Sequence, residues 1–298
     1  MIERQWGDIC YLQFNHYLQF SDITHGIFTR LGGHSQAPYW ALNTSTSLKV
    51  GDSVANVIRN RQLTLQALER TAYPCATLWQ VHGADIVTFN NEDEWRTDWA
   101  HYSYYEQSWM PQSLHKADAI ITQQRGIALA LSFADCVPIV LYDPVVQAIG
   151  LAHGGWRGTA RGIVAATVEA MCLQFGCHPH NIYAGIGPSI GACCYEVSDS
   201  VQDLFLGRSS FDDMPTREQY RGLVRDSAVF STVHLPAKVS LRLNLWETNR
   251  NQLLGAGLMA EHIEVAEICT SCNIDRFFSH RGEHGKTGRF PVIVALDK

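Results

Sequence analysis

Residues Ile127–Gly158 read IALALSFADCVPIVLYDPVVQAIGLAHGGWRG. Two apolar runs, separated by an Asp143-Pro144 turn, read as strands bounded by turn residues. Cys136 lies within the first run and His153 follows the second, so each run delivers a potential metal ligand. A Gly-Gly-Trp-Arg-Gly loop follows His153 directly. Strands that end in reactive side chains and turn on glycines are where α/β proteins build sites.

Working outward, the flanking segments supply strands and helices that are not strictly interleaved. Residues 1–20 read as an edge strand or hairpin, and Thr24–Thr29 as a strand ending at Arg30 and the Gly32-Gly33 turn. Val54, Val57, Ile58, Leu65 and Leu68 fall at helical spacing behind Ser53, predicting a helix over 53–70 with Arg59 and Arg61 toward its polar side. Residues 76–83 read as a strand ending in His82. Further strands are expected at 117–122, 181–186, 264–269 and 290–296. Helices are expected from Ile163 to a stop at Gly176, and over 243–257. The run Gly187-Pro188-Ser189-Ile190-Gly191 lacks the dinucleotide-binding glycine spacing. The fold class is therefore α/β, an α+β layered sandwich with mixed sheets rather than a doubly wound parallel sheet. One domain spans 1–298, with surface insertions expected at 91–115, which is rich in Trp and Tyr, and at 207–235, which is polar and turn-rich.

Composition narrows the function classes. The chain has 298 residues, 46% hydrophobic, with a formal charge of −6. That balance argues against general binding of nucleic acid or membrane surfaces. No apolar run approaches the ~20 residues of a membrane span, and no secretory leader is visible, so a cytoplasmic location is expected. Nine scattered cysteines read as reduced thiols, mostly buried small hydrophobes. Cys269-Thr-Ser-Cys272 has metal-site spacing, but a structural zinc site wants four ligands and no second such pair exists. It is read as structural, and Cys193-Cys194 as packing.

His82, Cys136 and His153 together form a His₂Cys set. A thiolate and two imidazoles suit Zn²⁺ and leave a fourth position for water, whose pKa an open zinc site lowers toward ~7. Copper fits less well, because a His₂Cys copper site also needs a weak axial ligand such as Met. Cys136 as a nucleophile activated by a histidine fits the same residues, as do three unrelated buried side chains.

The ordered motifs Thr29-Arg30, Gly32-Gly33, Leu42-Asn43, Gly51-Asp52, Asn60-Arg61, Gln80-Val81-His82-Gly83, Ala117-Asp118-Ala119, Ala134–Pro138, His153–Gly158, Gly187–Gly191 and Cys193–Glu196 resemble the YfiH family, formerly called laccase-domain or polyphenol oxidase proteins. The resemblance runs from about residue 24 to the end and includes Phe277-Phe278-Ser279 and Thr287-Gly288-Arg289. It implies a fold like that of the cytotoxic-necrotizing-factor cysteine hydrolases, with His82, Cys136 and His153 as metal ligands and catalytic residues. It implies purine nucleosides and phosphate as substrates: phosphorolysis of adenosine, inosine, guanosine and methylthioadenosine, and hydrolytic deamination of adenosine. Arg30, Arg61 and Arg157 are then the candidate phosphate contacts, and Asn43 a candidate nucleoside contact. Where the family commonly has Ser-Tyr-Arg-Arg-Asp, this chain has Ser279-His280-Arg281-Gly282-Glu283, which bears on substrate preference. Two other readings remain: a hydrolase editing amino-acid-bearing peptidoglycan precursors, and a non-catalytic zinc-bearing interaction protein. Oligomeric state is not encoded in any of these motifs.

Overall fold

The computed structural model describes residues 1–46, 50–90, 115–213, 215–236 and 238–298. The chain begins with β1 (Ile2–Trp6), β2 (Ile9–Gln13) and β3 (Ile23–Phe28), then helix α1 (Val54–Ala67), β4 (Cys75–Ala76) and β5 (Ile86–Thr88). The central block is β6 (Ala119–Thr122), β7 (Ala128–Phe133), β8 (Val137–Asp143) and β9 (Ala148–Gly154), followed by α2 (Trp156–Thr159) and α3 (Ile163–Phe175). Then come β10 (Tyr183–Ile186), α4 (Asp199–Phe205), α5 (Glu218–Ser227), β11 (Phe230–Leu235), β12 (Lys238–Leu243), α6 (Leu245–Gly255), β13 (Ile263–Val265) and β14 (Phe290–Leu296).

The strands form two six-stranded sheets, ordered β1-β2-β3-β14-β7-β4 and β13-β10-β8-β9-β6-β5, plus the hairpin β11-β12. Both large sheets are mixed, as the expected layered sandwich requires: β4–β7, β5–β6 and β10–β13 are parallel, and the other pairs are antiparallel.

The period of two along each strand assigns the layers. In β7, Leu129, Leu131 and Phe133 join Val140 and Tyr142 of β8 and Ile149 and Leu151 of β9 in a core between the sheets. The alternate residues Ala128 and Ala130, with Ile293 and Ala295 of β14, face away from it and pack with Leu65 and Leu68 at α1. On the far side, Ile139 and Leu141 meet Val164, Val168 and Met171 of α3 and Leu253 of α6. The order is thus helix, sheet, sheet, helices. Central strands buried on both faces explain why β7, β8, β9 and β14 read as nearly continuous apolar runs. Each fully buried Leu, Ile, Val or Phe contributes about 1.5–3 kcal/mol.

Local signals explain the boundaries. Gly176 closes α3 at φ +71°, a conformation that costs glycine little. Asn244 caps α6, its side chain accepting from Glu247 N. Asp143 makes the β8–β9 turn by accepting from Val145 N at 2.9 Å and Val146 N at 3.3 Å.

Several expectations are corrected. The stretch 76–83 is not a strand ending in His82: pairing stops at Ala76 apart from a Trp79–Lys116 bridge, and His82 lies in a turn at φ +61°. Arg61 does not face the polar side of α1. It is 2% exposed, one helical turn from Val57, and its Nε donates to Thr44 O at 2.8 Å. The segment 207–235 is not a simple surface insertion: it carries α5 and β11, and Tyr220 and Val224 of α5 join the α3–α6 core. The expected aromatic insertion at 91–115 lies outside the described residues but for His115.

Candidate metal and active site

The β8–β9 register brings two ligands together. Pro138 pairs with His153 and Val137 with Gly154, so Cys136, one residue before β8, lies beside the end of β9. Cys136 is also where the chain passes from β7 in one sheet to β8 in the other. His82 lies on another such passage, between β4 and β5. The ligand atoms of His82, Cys136 and His153 all lie within 4.8 Å of one another. His153 is buried, Cys136 half-buried and His82 exposed, so the cluster opens to solvent on the His82 side.

One carboxylate, which the motif reading passed over, gathers two of these residues. Asp118 is fully buried immediately before β6. Its Oδ1 accepts from His82 N at 2.9 Å and from His153 Nδ1 at 2.8 Å. Its Oδ2 accepts from Gly83 N at 2.6 Å and Val81 N at 3.2 Å. Antiparallel pairing of Ala119 with Ala152 sets Asp118 opposite His153, whose backbone N donates to Asp118 O at 2.7 Å. An Nδ1–H held by a carboxylate leaves the Nε2 lone pair facing the cluster, the arrangement that orients metal-binding histidines. Burial alone would raise the Asp118 carboxyl; the His153 ring and the N–H groups of Gly83 and His82 outweigh it and hold it below the usual carboxylate range.

The thiol responds to the same geometry. Burial alone would raise Cys136. The charge of His153 and hydrogen bonds from His153 and His82 outweigh that, bringing the thiol down from 9.0 to about 6. His153 moves up in concert: burial opposes its charge, but the Cys136 thiolate and Asp118 prevail. At neutral pH the pair alone favours thiolate and imidazolium; an ion entering the cluster would displace the Nε2 proton, and two imidazoles with a thiolate form a donor set suited to zinc.

The glycine-rich loop after β9 is built for close approach. A Cβ on Gly155 would stand 3.0 Å from Cys136 Sγ and 3.2 Å from His82 Cδ2. One on Gly158 would stand 2.8 Å from Gly83 O. Arg161, also missed by the motif reading, donates from Nη1 to His82 O at 3.0 Å and from Nη2 to Asp213 Oδ1 at 2.6 Å, anchoring the turn that presents His82. Arg157 reaches Asp213 at 3.1 Å from a half-exposed position.

Asp135, at φ +82°, braces Cys136 from the other side. Its Oδ1 accepts from Thr270 Oγ1 and Ser279 Oγ, each at 2.7 Å, and its Oδ2 from Arg281 N at 2.6 Å. Arg289 and His280 come close to this group. Arg289 interacts electrostatically with Cys136, Asp135 and Glu283, and His280 with Arg289, Asp135 and His82. Arg289 Nη1 donates to Thr287 O and Gly288 O.

The remaining expected substrate residues are held elsewhere. Arg30 donates from Nε to Trp40 O and from Nη1 to Ile274 O and Glu283 Oε1, stacks over Phe278, and borders a surface depression of about 330 Å³ with Gly32, Pro38 and Ile274. Asn43 is fully buried. Its Nδ2 donates to Asp52 Oδ2 at 2.8 Å and Ser45 O at 3.2 Å, and its Oδ1 accepts from Arg289 N at 2.8 Å and Ser45 N at 3.1 Å. Asn43 therefore positions the Arg289 backbone.

Known proteins share this framework. A family model described as multi-copper polyphenol oxidoreductase laccase matches residues 24–297. The purine nucleoside phosphorylase YlmD of Geobacillus stearothermophilus is 37% identical over 278 residues, covering 92% of this chain and 90% of its own. The crystal structure of YlmD from that organism matches with a TM-score of 0.79 at 34% identity, covering 100% of this chain and 99% of that one. That of the Bacillus licheniformis hypothetical protein YfiH matches with a TM-score of 0.78 at 33% identity, covering 99% of each. With its two-sheet frame and nearly its whole length aligned to these proteins, the chain belongs to the YfiH, or laccase-domain, family.

Proposed function

We propose that the chain is a purine nucleoside enzyme whose site is centred on His82, Cys136 and His153 and holds zinc. It cleaves adenosine, inosine, guanosine and methylthioadenosine with phosphate, and deaminates adenosine by hydrolysis. The observation that carries this reading is the convergence of the thiol and two imidazoles on one open cluster, with Asp118 fixing His153, in a chain 37% identical to a protein named purine nucleoside phosphorylase. Zinc bound there supplies Lewis acidity toward an oxygen nucleophile.

The chain's own residues do the rest. Asp118 keeps His153 Nδ1 protonated and orients the His82 turn at once. Cys136 is ionised at neutral pH without outside help. In phosphorolysis a phosphate oxygen forms a bond to C1′ while the bond from C1′ to the base nitrogen breaks, and the base leaves with a proton. In deamination water supplies the oxygen at C6 and ammonia leaves. Phosphate binding falls to Arg289 and, at the rim, Arg157, whose partner Asp213 is exposed, because the Arg30 guanidinium is paired with the largely buried Glu283 and Arg61 is turned inward to Thr44.

Multicopper oxidation, the chemistry in the family model's description, needs several histidine clusters. Among the described residues the one ligand group containing histidine is His82–Cys136–His153. Nine free cysteines suit a reducing compartment, and we place the enzyme in the cytoplasm. Purified chain loaded with zinc is expected to release adenine from adenosine and phosphate and to form inosine, and Cys136→Ala to lose both activities. Zinc-loaded wild type that does neither refutes the assignment.

A further inference from the structure

The structure overturns the reading of Cys193-Cys194 and Cys269–Cys272 as separate packing cysteines. The parallel pairing of β10 with β13 continues past both strands: Ala266 N donates to Ile186 O at 2.8 Å, Ser189 N to Ile268 O at 3.1 Å and Thr270 N to Ser189 O at 3.1 Å. The two chains then turn at the same level and deliver four cysteines to one point. The sulfurs of Cys193, Cys194, Cys269 and Cys272 all lie within 4.8 Å of one another. Cys272 Sγ is 3.6 Å from Cys193 Sγ and 3.3 Å from Cys194 Sγ.

We propose that these four cysteines form a second metal site, a structural tetrathiolate zinc centre that staples the Gly187–Tyr195 loop to the Cys269–Arg281 loop. A tetrahedral site with Zn–S bonds of about 2.3 Å has sulfur–sulfur edges of about 3.8 Å. The spacings of 3.3 and 3.6 Å lie a few tenths of an ångström under that edge, whereas disulfide-bonded sulfurs stand at about 2.05 Å. The surroundings fit a charged cluster. Gly191 N donates to Cys269 Sγ at 3.3 Å, the kind of outer contact that stabilises a ligating thiolate. Four thiolates around a divalent ion carry two net negative charges. Two guanidiniums flank them: Arg242 Nη1 donates to Cys193 O at 3.3 Å and Arg281 Nη1 to Cys194 O at 3.5 Å. Cys193 and Cys272 are exposed, giving the ion a path from solvent, and Cys269 is buried at the base.

The position gives the staple a purpose. Both stapled loops touch Asp135, the residue before Cys136: Ile190 N donates to Asp135 O at 3.0 Å, and Thr270 Oγ1 to Asp135 Oδ1 at 2.7 Å. The zinc would hold the wall behind the first site without entering its chemistry, and the proposal stands whether or not that first site is a nucleoside enzyme's.

The test uses the full chain with His82→Ala and Cys136→Ala, which removes the first ligand set. Prepared with zinc under reductant, this variant is expected to retain one zinc per chain by elemental analysis. Adding Cys272→Ser is expected to remove it. Cobalt in place of zinc is expected to give a tetrahedral spectrum with intense sulfur-to-metal charge transfer. Should the Cys272 variant fail to fold, alkylation decides: zinc is expected to protect Cys193, Cys194, Cys269 and Cys272, and chelation to expose all four together. A first-site variant that binds no zinc, an octahedral cobalt spectrum, or a disulfide from Cys272 to Cys193 or Cys194 in the reduced preparation overturns the proposal.

Discussion

Replacing Asp118 with Asn tests whether one carboxylate assembles the ligand set. Each oxygen of Asp118 accepts two hydrogen bonds: Oδ1 from His82 N and His153 Nδ1, and Oδ2 from Gly83 N and Val81 N. An amide keeps acceptor capacity on one arm only. If its NH₂ faces Val81 and Gly83, donors oppose donors and the turn presenting His82 is pushed away. If it faces His153, the ring must accept at Nδ1 and carry its proton on Nε2, which removes the lone pair aimed at the cluster. Two hydrogen bonds to a charged group, at about 1.5–3 kcal/mol each, set an upper bound of about 3–6 kcal/mol before relaxation. Loss of an outer carboxylate partner commonly weakens metal binding by about 10–100-fold, or about 1.4–2.7 kcal/mol. Competition with a chromophoric chelator is expected to show a drop of that size for Asp118→Asn, with a lowered melting temperature. Zinc affinity within about threefold of wild type and an unchanged melting temperature would refute the argument that Asp118 organises the site.

Two further perturbations separate sterics from electrostatics. Gly155→Ala, at an ordinary φ of −65°, places a Cβ 3.0 Å from Cys136 Sγ and 3.2 Å from His82 Cδ2. Turnover is expected to fall by about tenfold or more with unchanged circular dichroism, and normal turnover would show that the cluster tolerates displacement. His25 is buried and neutral, its Nε2 accepting from Phe14 N at 2.8 Å. Burial and the charge of His16 push it from 6.5 down to about 3, against a raising effect from Glu264. Its folded pKa lies below its unfolded one, so its stabilising contribution is complete above about pH 6.5 and is lost as pH falls toward 3. By pH 4.5 the loss is on the order of 2–3 kcal/mol. Urea titrations at pH 7.5 and 4.5 are expected to show His25→Gln losing that much less than wild type over the interval; equal losses would remove His25 as the source.

The parts legible in the sequence are those in which burial writes a period. β7, β8, β9 and β14 are apolar on both faces because each lies between two packed layers, and α3 shows its stripe and its glycine stop. Cys136 and His153 stand out because reactive side chains end such runs. Arg61 was misplaced because arginine reads as a polar face, although its spacing from Val57 and Leu65 is that of the buried stripe. α5 was hidden by its polar composition, with only the pair Tyr220 and Val224, four residues apart, marking a buried face. Asp118 carried a fainter signal, an acid directly before the apolar strand Ala119–Thr122. The four cysteines carried half a signal, the spacing of Cys269 and Cys272, since only the pairing of β10 with β13 joins that pair to Cys193 and Cys194.

The β8–β9 hairpin also divides the molecule into an end that must not change and an end that can. From Val137 to Asp143 the strand covers about 20 Å. The turn at Pro144–Gln147 is therefore that far from the ligands, and Val145 there is 69% exposed. A label, a tether or new chain ends placed at this turn would leave the ligand set untouched. A single residue inserted within β9 ahead of His153 would instead turn His153 to the opposite face of its sheet.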